Sequence, residues 1–126
     1  MNWISIAALA IAAVIHFLPL AGLAGGPALE KLYGVPLQNG NLLIILQHRA
    51  LLFGLLGALF VIAMFKTDLR LIAMLFGLVS TVGFILIAQQ QGDYNQQVLR
   101  VVKADVIVVV ALLLALANEY WMGRTG

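Results

Sequence analysis

The chain contains no cysteine. This absence excludes a disulfide framework, catalysis by a thiol, and zinc or iron–sulfur centres held by cysteine. Charged residues are also scarce, since seven basic and five acidic residues make up only 10% of the 126 residues. An ordinary soluble domain has about a quarter of its residues charged, so this composition excludes a domain that is soluble on its own.

The sequence also lacks the motifs of common cofactor and nucleotide sites. It contains no phosphate-binding glycine loop, no HExxH pair and no nucleophile elbow. No basic run with interleaved aromatic residues indicates a nucleic acid partner. Two histidines and one aspartate lie in apolar stretches, but Arg49 directly follows His48 and disfavours a cation there. We therefore expect no cofactor, no bound metal and no nucleic acid.

Hydrophobic residues dominate the chain. They make up 63% of it, and the mean hydropathy is +1.07. A membrane-spanning helix needs about 20 mostly apolar residues, and four stretches qualify: residues 3–24, 41–65, 69–88 and 98–117. The predicted fold is an all-α integral membrane four-helix bundle that forms one transmembrane domain over residues 1–126. The first stretch is predicted to be a helix rather than a signal peptide, because no positive charge precedes it.

The connections between the predicted spans differ in length. The short turn Lys66–Asp68 makes spans two and three an antiparallel hairpin. The last link, residues 89–97, is polar and contains turn-forming residues. In the first link, residues 25–40, the segment from Pro27 to Tyr33 begins with proline and ends before Gly34, which predicts a short helix lying in the membrane interface.

The basic residues indicate an orientation. Lys66, Arg70 and Arg124 belong to the face that holds both termini, whereas Lys31 lies in the first link. Three further basic residues fall inside the predicted spans: Arg49, Arg100 and Lys103. We expect them to pair with groups inside the membrane, so they are left out of the count. By the positive-inside rule, both termini are then predicted to be cytoplasmic, with an aromatic belt on that side. The belt consists of Trp3, Tyr120 and Trp121.

Apart from Arg70 at the start of span three, the titratable residues inside the predicted spans lie toward the end of the bundle that carries the two longer links. They are His16, His48, Arg49, Arg100, Lys103 and Asp105. At the rise of an α-helix, His16, His48 and Asp105 lie about 10–12 Å below the ends of their spans, so three helices bring a titratable group to one depth. Such groups are costly in hydrocarbon and need a partner or a water-filled cavity. The common depth therefore predicts a shared polar pocket.

Several pairings are open within this pocket. We expect Asp105 to pair with Arg49 or His48, or the cluster to be a buried ion pair that only fixes helix register. Asp105 points nearly opposite Lys103 on its helix, so Asp105 is expected inside and Lys103 or Arg100 at the interface, although the reverse is also open. His16 is a candidate pocket residue or a hydrogen-bonded helix contact. Other candidates for the pocket or its lid are Tyr33, Gln47, Asp93, Tyr94 and Asn95.

Proline and small residues predict how the helices pack. Pro19 removes a backbone hydrogen bond and is expected to kink span one beside His16. Span two carries small residues along one stripe, on which another helix is expected to pack closely. The stripe consists of Ala50, Gly54, Gly57 and Ala58.

Four segments together resemble a family of small bacterial four-helix membrane proteins. The segments are 16–20, 32–35, 48–54 and 104–106, with the sequences HFLPL, LYGV, HRALLFG and ADV. Some members of that family carry the label phosphopantetheine adenylyltransferase, but that soluble enzyme has a Rossmann-like fold and an HxGH motif, which this chain lacks. The four-helix layout is also similar to DoxX-like proteins and to sterol isomerases of the emopamil-binding type. The resemblance implies a multi-pass protein of the bacterial inner membrane and assigns no activity.

The sequence predicts a pocket for a lipophilic small molecule or membrane lipid with a polar head. The most specific hypothesis is that the pocket is catalytic. Asp105 and His48, whose pKa values are expected to be set by burial and by Arg49, then move a proton on the substrate, as in double-bond isomerisation. Tyr94 or Tyr33 is expected to be the donor. A second hypothesis is a carrier or efflux subunit, for which we expect a homodimer. A third is a structural or partner-binding protein whose polar cluster locks the helices.

Overall fold

The computed structural model describes residues 2–34 and 40–125, without the side chains of residues 122–125. Helix α1 (Trp3–Phe17) continues into a 3-10 segment (Leu18–Ala24), and α2 (Gly26–Tyr33) follows in the first link. The remaining elements are α3 (Gly40–Phe65), a short 3-10 turn (Thr67–Leu69), α4 (Arg70–Gln91) and α5 (Gln96–Thr125). The described residues contain no β-strand, which confirms the all-α prediction. Val35 of the family-like segment 32–35 and the side chain of Arg124 lie outside the described part.

Within the described residues, three stretches of helix are long and apolar enough to cross a membrane: Trp3–Ala24, Gly40–Phe65 and Thr67–Gln91. They match the first three predicted spans closely, so the chain is a membrane protein. Helix α5 is 30 residues long and packs against α1 and α4. Its assignment as a fourth span stays a prediction.

Helix α1 ends at Phe17, two residues before Pro19. The Asn2 side chain caps its first turn by accepting a hydrogen bond of 3.2 Å from the Ser5 N–H. The last regular bond runs from the Leu18 N–H to the Val14 carbonyl, and the chain then continues as a 3-10 helix. Because Pro19 has no N–H to donate, the α-helical ladder cannot continue through it. The lost backbone hydrogen bond thus ends the α-helix beside His16, and the predicted kink itself stays a prediction.

The small residues of α3 form the surface on which the end of α1 packs. A Cβ atom added to Gly54 would lie 2.7 Å from Leu20 Cδ1, and one added to Gly57 would lie 2.8 Å from Phe17 Cε1. These contacts confirm the packing stripe at Gly54 and Gly57. Ala58 is exposed and lies outside it, because its side chain turns away from α1.

Helix α2 closes the link end of the bundle. Its C-terminal cap is Gly34, whose φ of +67° is left-handed and suits glycine. Leu29 and Tyr33 are buried and hold the helix against its neighbours. The predicted short helix in the first link is confirmed, and its position in the membrane interface stays a prediction.

The central core joins α1, α3, α4 and α5, and Gly77 marks a close crossing of α4 in this core. A Cβ atom at Gly77 would lie 2.8 Å from Leu112 Cδ1 and 3.0 Å from Phe60 Cζ, and both of these side chains are fully buried. Gly83 on the same helix has nothing within 4 Å of such an atom. Close approach of α4 to α5 therefore depends on Gly77.

Gly77→Ala is expected to lower the free energy of unfolding by about 1–3 kcal/mol, because the added methyl group overpacks a closed core. The matched change Gly83→Ala gains helix propensity, worth up to about 1 kcal/mol, and meets no neighbour. The melting temperatures of the two variants in one detergent, followed by tryptophan fluorescence, check this. Equal melting temperatures would contradict the tight crossing at Gly77.

Candidate functional site

A cavity of about 470 Å³ lies at the link end of the bundle, between the end of α1, α2 and the first half of α5. Most of its wall is apolar. We call it the Asp105 cavity, after the carboxylate in its wall. Its other polar lining residues are His16, Lys31, Tyr33, Ser80, Gln97 and Arg100. The volume falls within the usual range for small-molecule sites, about 300–1,000 Å³.

Asp105 is 7% exposed and faces this cavity from α5. Lys103 on the same helix is exposed, so of the arrangements that the sequence left open the structure has Asp105 inside and Lys103 outside. Arg100 is exposed too, but it also lines the cavity. The predicted ion pair of Asp105 with Arg49 or His48 does not form. Among the described side chains, the single ion pair within 4.0 Å joins Arg70 and Glu119 at the opposite end of the bundle. Asp105 is thus a buried carboxylate open to an apolar cavity.

His16 is held in one orientation in the wall of the Asp105 cavity. Its Nδ1 lies 2.8 Å from the Ala12 carbonyl oxygen, and its Nε2 lies 3.0 Å from Ser80 Oγ. A carbonyl can only accept, so Nδ1 carries the proton in the neutral ring and Nε2 accepts the Ser80 hydroxyl proton. Edge-on contacts with Phe53 and Phe60 fix the ring plane. His16 therefore positions Ser80. It both lines the cavity and makes hydrogen bonds to its own helix and to α4, so it is a pocket residue as well as a helix contact.

Tyr33 and Arg49 form the second feature of the site. The Arg49 Nη1 donates a hydrogen bond of 2.6 Å to the Tyr33 hydroxyl oxygen. The guanidinium carbon also lies 4.4 Å from the Phe53 ring centroid and 5.1 Å from that of Phe84. Such stacking stabilises a cation in place of water. Because the Tyr33 oxygen accepts from Arg49, its own hydroxyl proton is available to the Asp105 cavity that it lines.

A second cavity, of about 460 Å³, lies on the other side of Tyr33 between α3 and α4. We call it the Arg49 cavity. Its polar lining residues are Tyr33, Arg49, Gln91, Asp93 and Tyr94. Tyr33 lines both cavities, so the Tyr33–Arg49 pair forms a partition between them.

Of the remaining predicted residues, one joins two helices and three lie away from both cavities. Asn95 caps α5 by accepting from the Val98 N–H at 2.8 Å and donates to the Tyr33 carbonyl at 2.7 Å, so it ties α2 to α5. His48 and Lys103 are exposed, and Gln47 is half-buried. None of these three residues lines either cavity. The structure therefore brings Asp105, His16 and Tyr33 together and separates them from His48.

The sequence analysis missed two parts of the polar architecture. Ser80 is a lone serine in an apolar span, and only its distance from His16 reveals its role. The second part is a network at the termini end, which we call the terminal network. There Glu119 Oε1 accepts from Ser5 Oγ at 2.6 Å and from Asn2 Nδ2 at 2.9 Å and lies 3.8 Å from Arg70 Nη1. Asn118 Nδ2 donates to Asn2 Oδ1 at 2.6 Å.

Arg70 also closes the end of α3. Its Nε and Nη2 donate to the Ala63 and Met64 carbonyl oxygens at 3.0 and 2.8 Å. Carbonyls in the last turn of a helix have no partner within the helix, so this arginine satisfies two of them. The terminal network is fully occupied with structural contacts, and the candidate site is the pair of cavities at the other end.

Comparisons with protein-family models, curated proteins and solved structures found no match for this chain. The resemblance to small bacterial four-helix proteins stays a prediction, and the two cavities carry the functional argument.

Proposed function

We propose that the chain is a four-span protein of the bacterial inner membrane that binds a lipophilic small molecule in the Asp105 cavity and moves a proton on it. The observation that carries this proposal is a buried carboxylate, without a hydrogen-bond or ion-pair partner among the described residues, in the wall of a largely apolar cavity. A carboxylate that serves only structure is normally paired when it is buried. An unpaired one beside apolar space suits acid–base work on an apolar substrate.

The residues support cofactor-free shift of a double bond. Ionised Asp105 removes a proton from the carbon between a carbonyl group and a carbon–carbon double bond, and the C–H electron pair moves into a dienolate. Tyr33, polarised by Arg49, donates a hydrogen bond to the dienolate oxygen. Asp105 then returns the proton to the far carbon of the original double bond. The product is the conjugated ketone, and no oxidant, reductant or second substrate is consumed.

The experiment is a turnover assay on the purified protein in nanodiscs of phosphatidylcholine. A β,γ-unsaturated ketosteroid and an open-chain β,γ-unsaturated ketone serve as substrates, because either fits an apolar cavity with one polar group. We expect growth of the absorbance of the conjugated ketone in proportion to protein, above that of empty nanodiscs. Bound ketone with no absorbance growth would contradict proton transfer and leave a binding protein.

A carrier is the second candidate, and the shared position of Tyr33 favours it. Two cavities of similar volume meet at the Tyr33–Arg49 hydrogen bond, so a small molecule could pass between them if that bond opened. A single bundle of this size offers little scope for alternating access, so transport implies a homodimer. The nanodisc assay separates the candidates, because a carrier releases its ligand unchanged.

The proposed orientation places both termini in the cytoplasm. The positive-inside rule supports it: Arg49, Arg100 and Lys103 fall within the predicted spans, which leaves three basic residues at the end that holds the termini and Lys31 alone at the link end. The chain has no cysteine, so a single introduced cysteine reports directly. We expect a membrane-impermeant maleimide to label Gln90→Cys but not Lys66→Cys in intact cells. The reverse pattern would overturn the orientation.

A further inference from the structure

Arg49 lines the second cavity, and no carboxylate of the described residues lies at ion-pair distance from it. Its guanidinium contacts the Tyr33 hydroxyl and three aromatic rings. Neutral partners of this kind compensate a buried cation in part. A guanidinium has five N–H donors in a planar fork, and one hydrogen bond to Tyr33 leaves most of them unused.

The walls around Arg49 are apolar and continue onto the surface of the helices. Leu42, Leu46, Phe84 and Ile87 line the Arg49 cavity. Leu42 is 38% exposed and Ile87 is 61% exposed, so the cavity opens toward apolar helix surface. On a membrane protein such surface faces acyl chains. The cavity therefore offers one cation at its inner end and a hydrocarbon path leading out of it.

We infer that the Arg49 cavity is a second binding site, separate from the Asp105 cavity, and that it takes a membrane amphiphile whose oxyanion head group binds Arg49 and whose acyl chain lies along Leu42 and Ile87. Carboxylates and phosphates both match the guanidinium fork. Asp93 also lines the cavity, and its carboxylate opposes an anion. It is exposed to water at the link, however, where its charge is screened.

The test measures binding of tritiated palmitate to the protein in nanodiscs of neutral phosphatidylcholine. Hexadecyl phosphate and hexadecanol compete for the site in separate arms and share the chain length of palmitate. We expect palmitate or hexadecyl phosphate to bind at least 10-fold more tightly than hexadecanol, because a charge-assisted hydrogen bond contributes that much or more. The tighter of the two anions identifies the head group.

Variants of the protein locate the site. Arg49→Gln is expected to weaken binding of the anion at least 10-fold, and Lys66→Gln, which removes the same charge from the distant turn, is expected to leave it unchanged. Asp93→Asn should tighten binding by a few-fold, because it removes a repelling charge. If Arg49→Gln does not fold, Arg49→Lys keeps the charge and should retain the preference for the anion over hexadecanol at reduced affinity.

Two results would overturn the inference. Equal affinity for palmitate, hexadecyl phosphate and hexadecanol would show that no oxyanion is recognised, whatever the variants do. Undiminished anion binding by a folded Arg49→Gln protein would show that the head group binds elsewhere. Neither result bears on turnover in the Asp105 cavity, so the inference and the proposed function fail separately.

Discussion

Asp105→Asn is expected to lower the rate of double-bond isomerisation by about 10²–10⁴-fold, the usual contribution of a positioned general acid–base group. Asparagine has nearly the same shape as aspartate and leaves the cavity wall intact, but its amide cannot take up the substrate proton. Binding of the ketone should therefore change by only a few-fold. The measurement is the initial rate of conjugated ketone formation, paired with the dissociation constant of the saturated ketone, which cannot react.

Asp68→Asn is the matched control for this variant. It makes the same chemical change at an exposed carboxylate in the short turn at the opposite end of the bundle, and its turnover should equal that of the unchanged protein. Unchanged turnover in Asp105→Asn would remove Asp105 from the mechanism. Loss of the folded protein in Asp105→Asn alone would instead support a structural role for this carboxylate, as the third hypothesis from the sequence holds.

Arg70→Met is expected to cost the largest amount of stability among single polar changes, about 3–6 kcal/mol of unfolding free energy. The change removes two charge-assisted hydrogen bonds to the carbonyls that end α3, each of which contributes about 1.5–3 kcal/mol. Its ion pair with Glu119 adds little, because the Glu119 side chain is 36% exposed and the pair is 3.8 Å apart. Methionine fills similar volume, so a cavity contributes little.

The measurement for Arg70→Met is unfolding in mixed micelles of increasing sodium dodecyl sulfate content. Lys66→Met removes an exposed cation four positions earlier and should shift the midpoint little. Glu119→Gln combined with Arg70→Met should cost less than the sum of the single changes, because both belong to one network. A midpoint in Arg70→Met equal to that in Lys66→Met would contradict the cap on α3, whereas additive costs would show only that Arg70 and Glu119 are not coupled.

The sequence predicted positions along the helices better than directions around them. Hydropathy located three spans to within a few residues, and Pro19 located the end of α1, because both signals are local along the chain. Counting residues also placed His16, His48 and Asp105 at one depth. It could not say which side of α3 faces the cavity, and His48 and Arg49 differ by about 100° in direction. Only packing decides that, and it turned Arg49 inward and left His48 exposed.

The terminal network could not be predicted from the sequence, because it too depends on how the helices pack. Arg70 and Glu119 lie at the ends of apolar stretches, where charged residues usually mark the water interface. The burial of Arg70 and its contact with Glu119 depend on elements that are far apart in the chain. For Asp105 the sequence indicated only that it points nearly opposite Lys103 on the same helix. The structure chose between the two arrangements, with Asp105 buried and Lys103 exposed.

The terminal network joins the first described helix to the last one. The hydrogen bonds from Asn2 and Ser5 to Glu119 span 117 and 114 residues, and the bond between Asn118 and Asn2 spans 116. During synthesis, α1 enters the membrane long before its polar partners on α5 exist. Ser5, which is fully buried in the finished bundle, lacks those partners throughout this interval. The bundle is therefore complete only when α5 has packed against α1. A chain that stops before Asn118 leaves Asn2 and Ser5 without these hydrogen bonds, so its first helix keeps buried polar groups without partners.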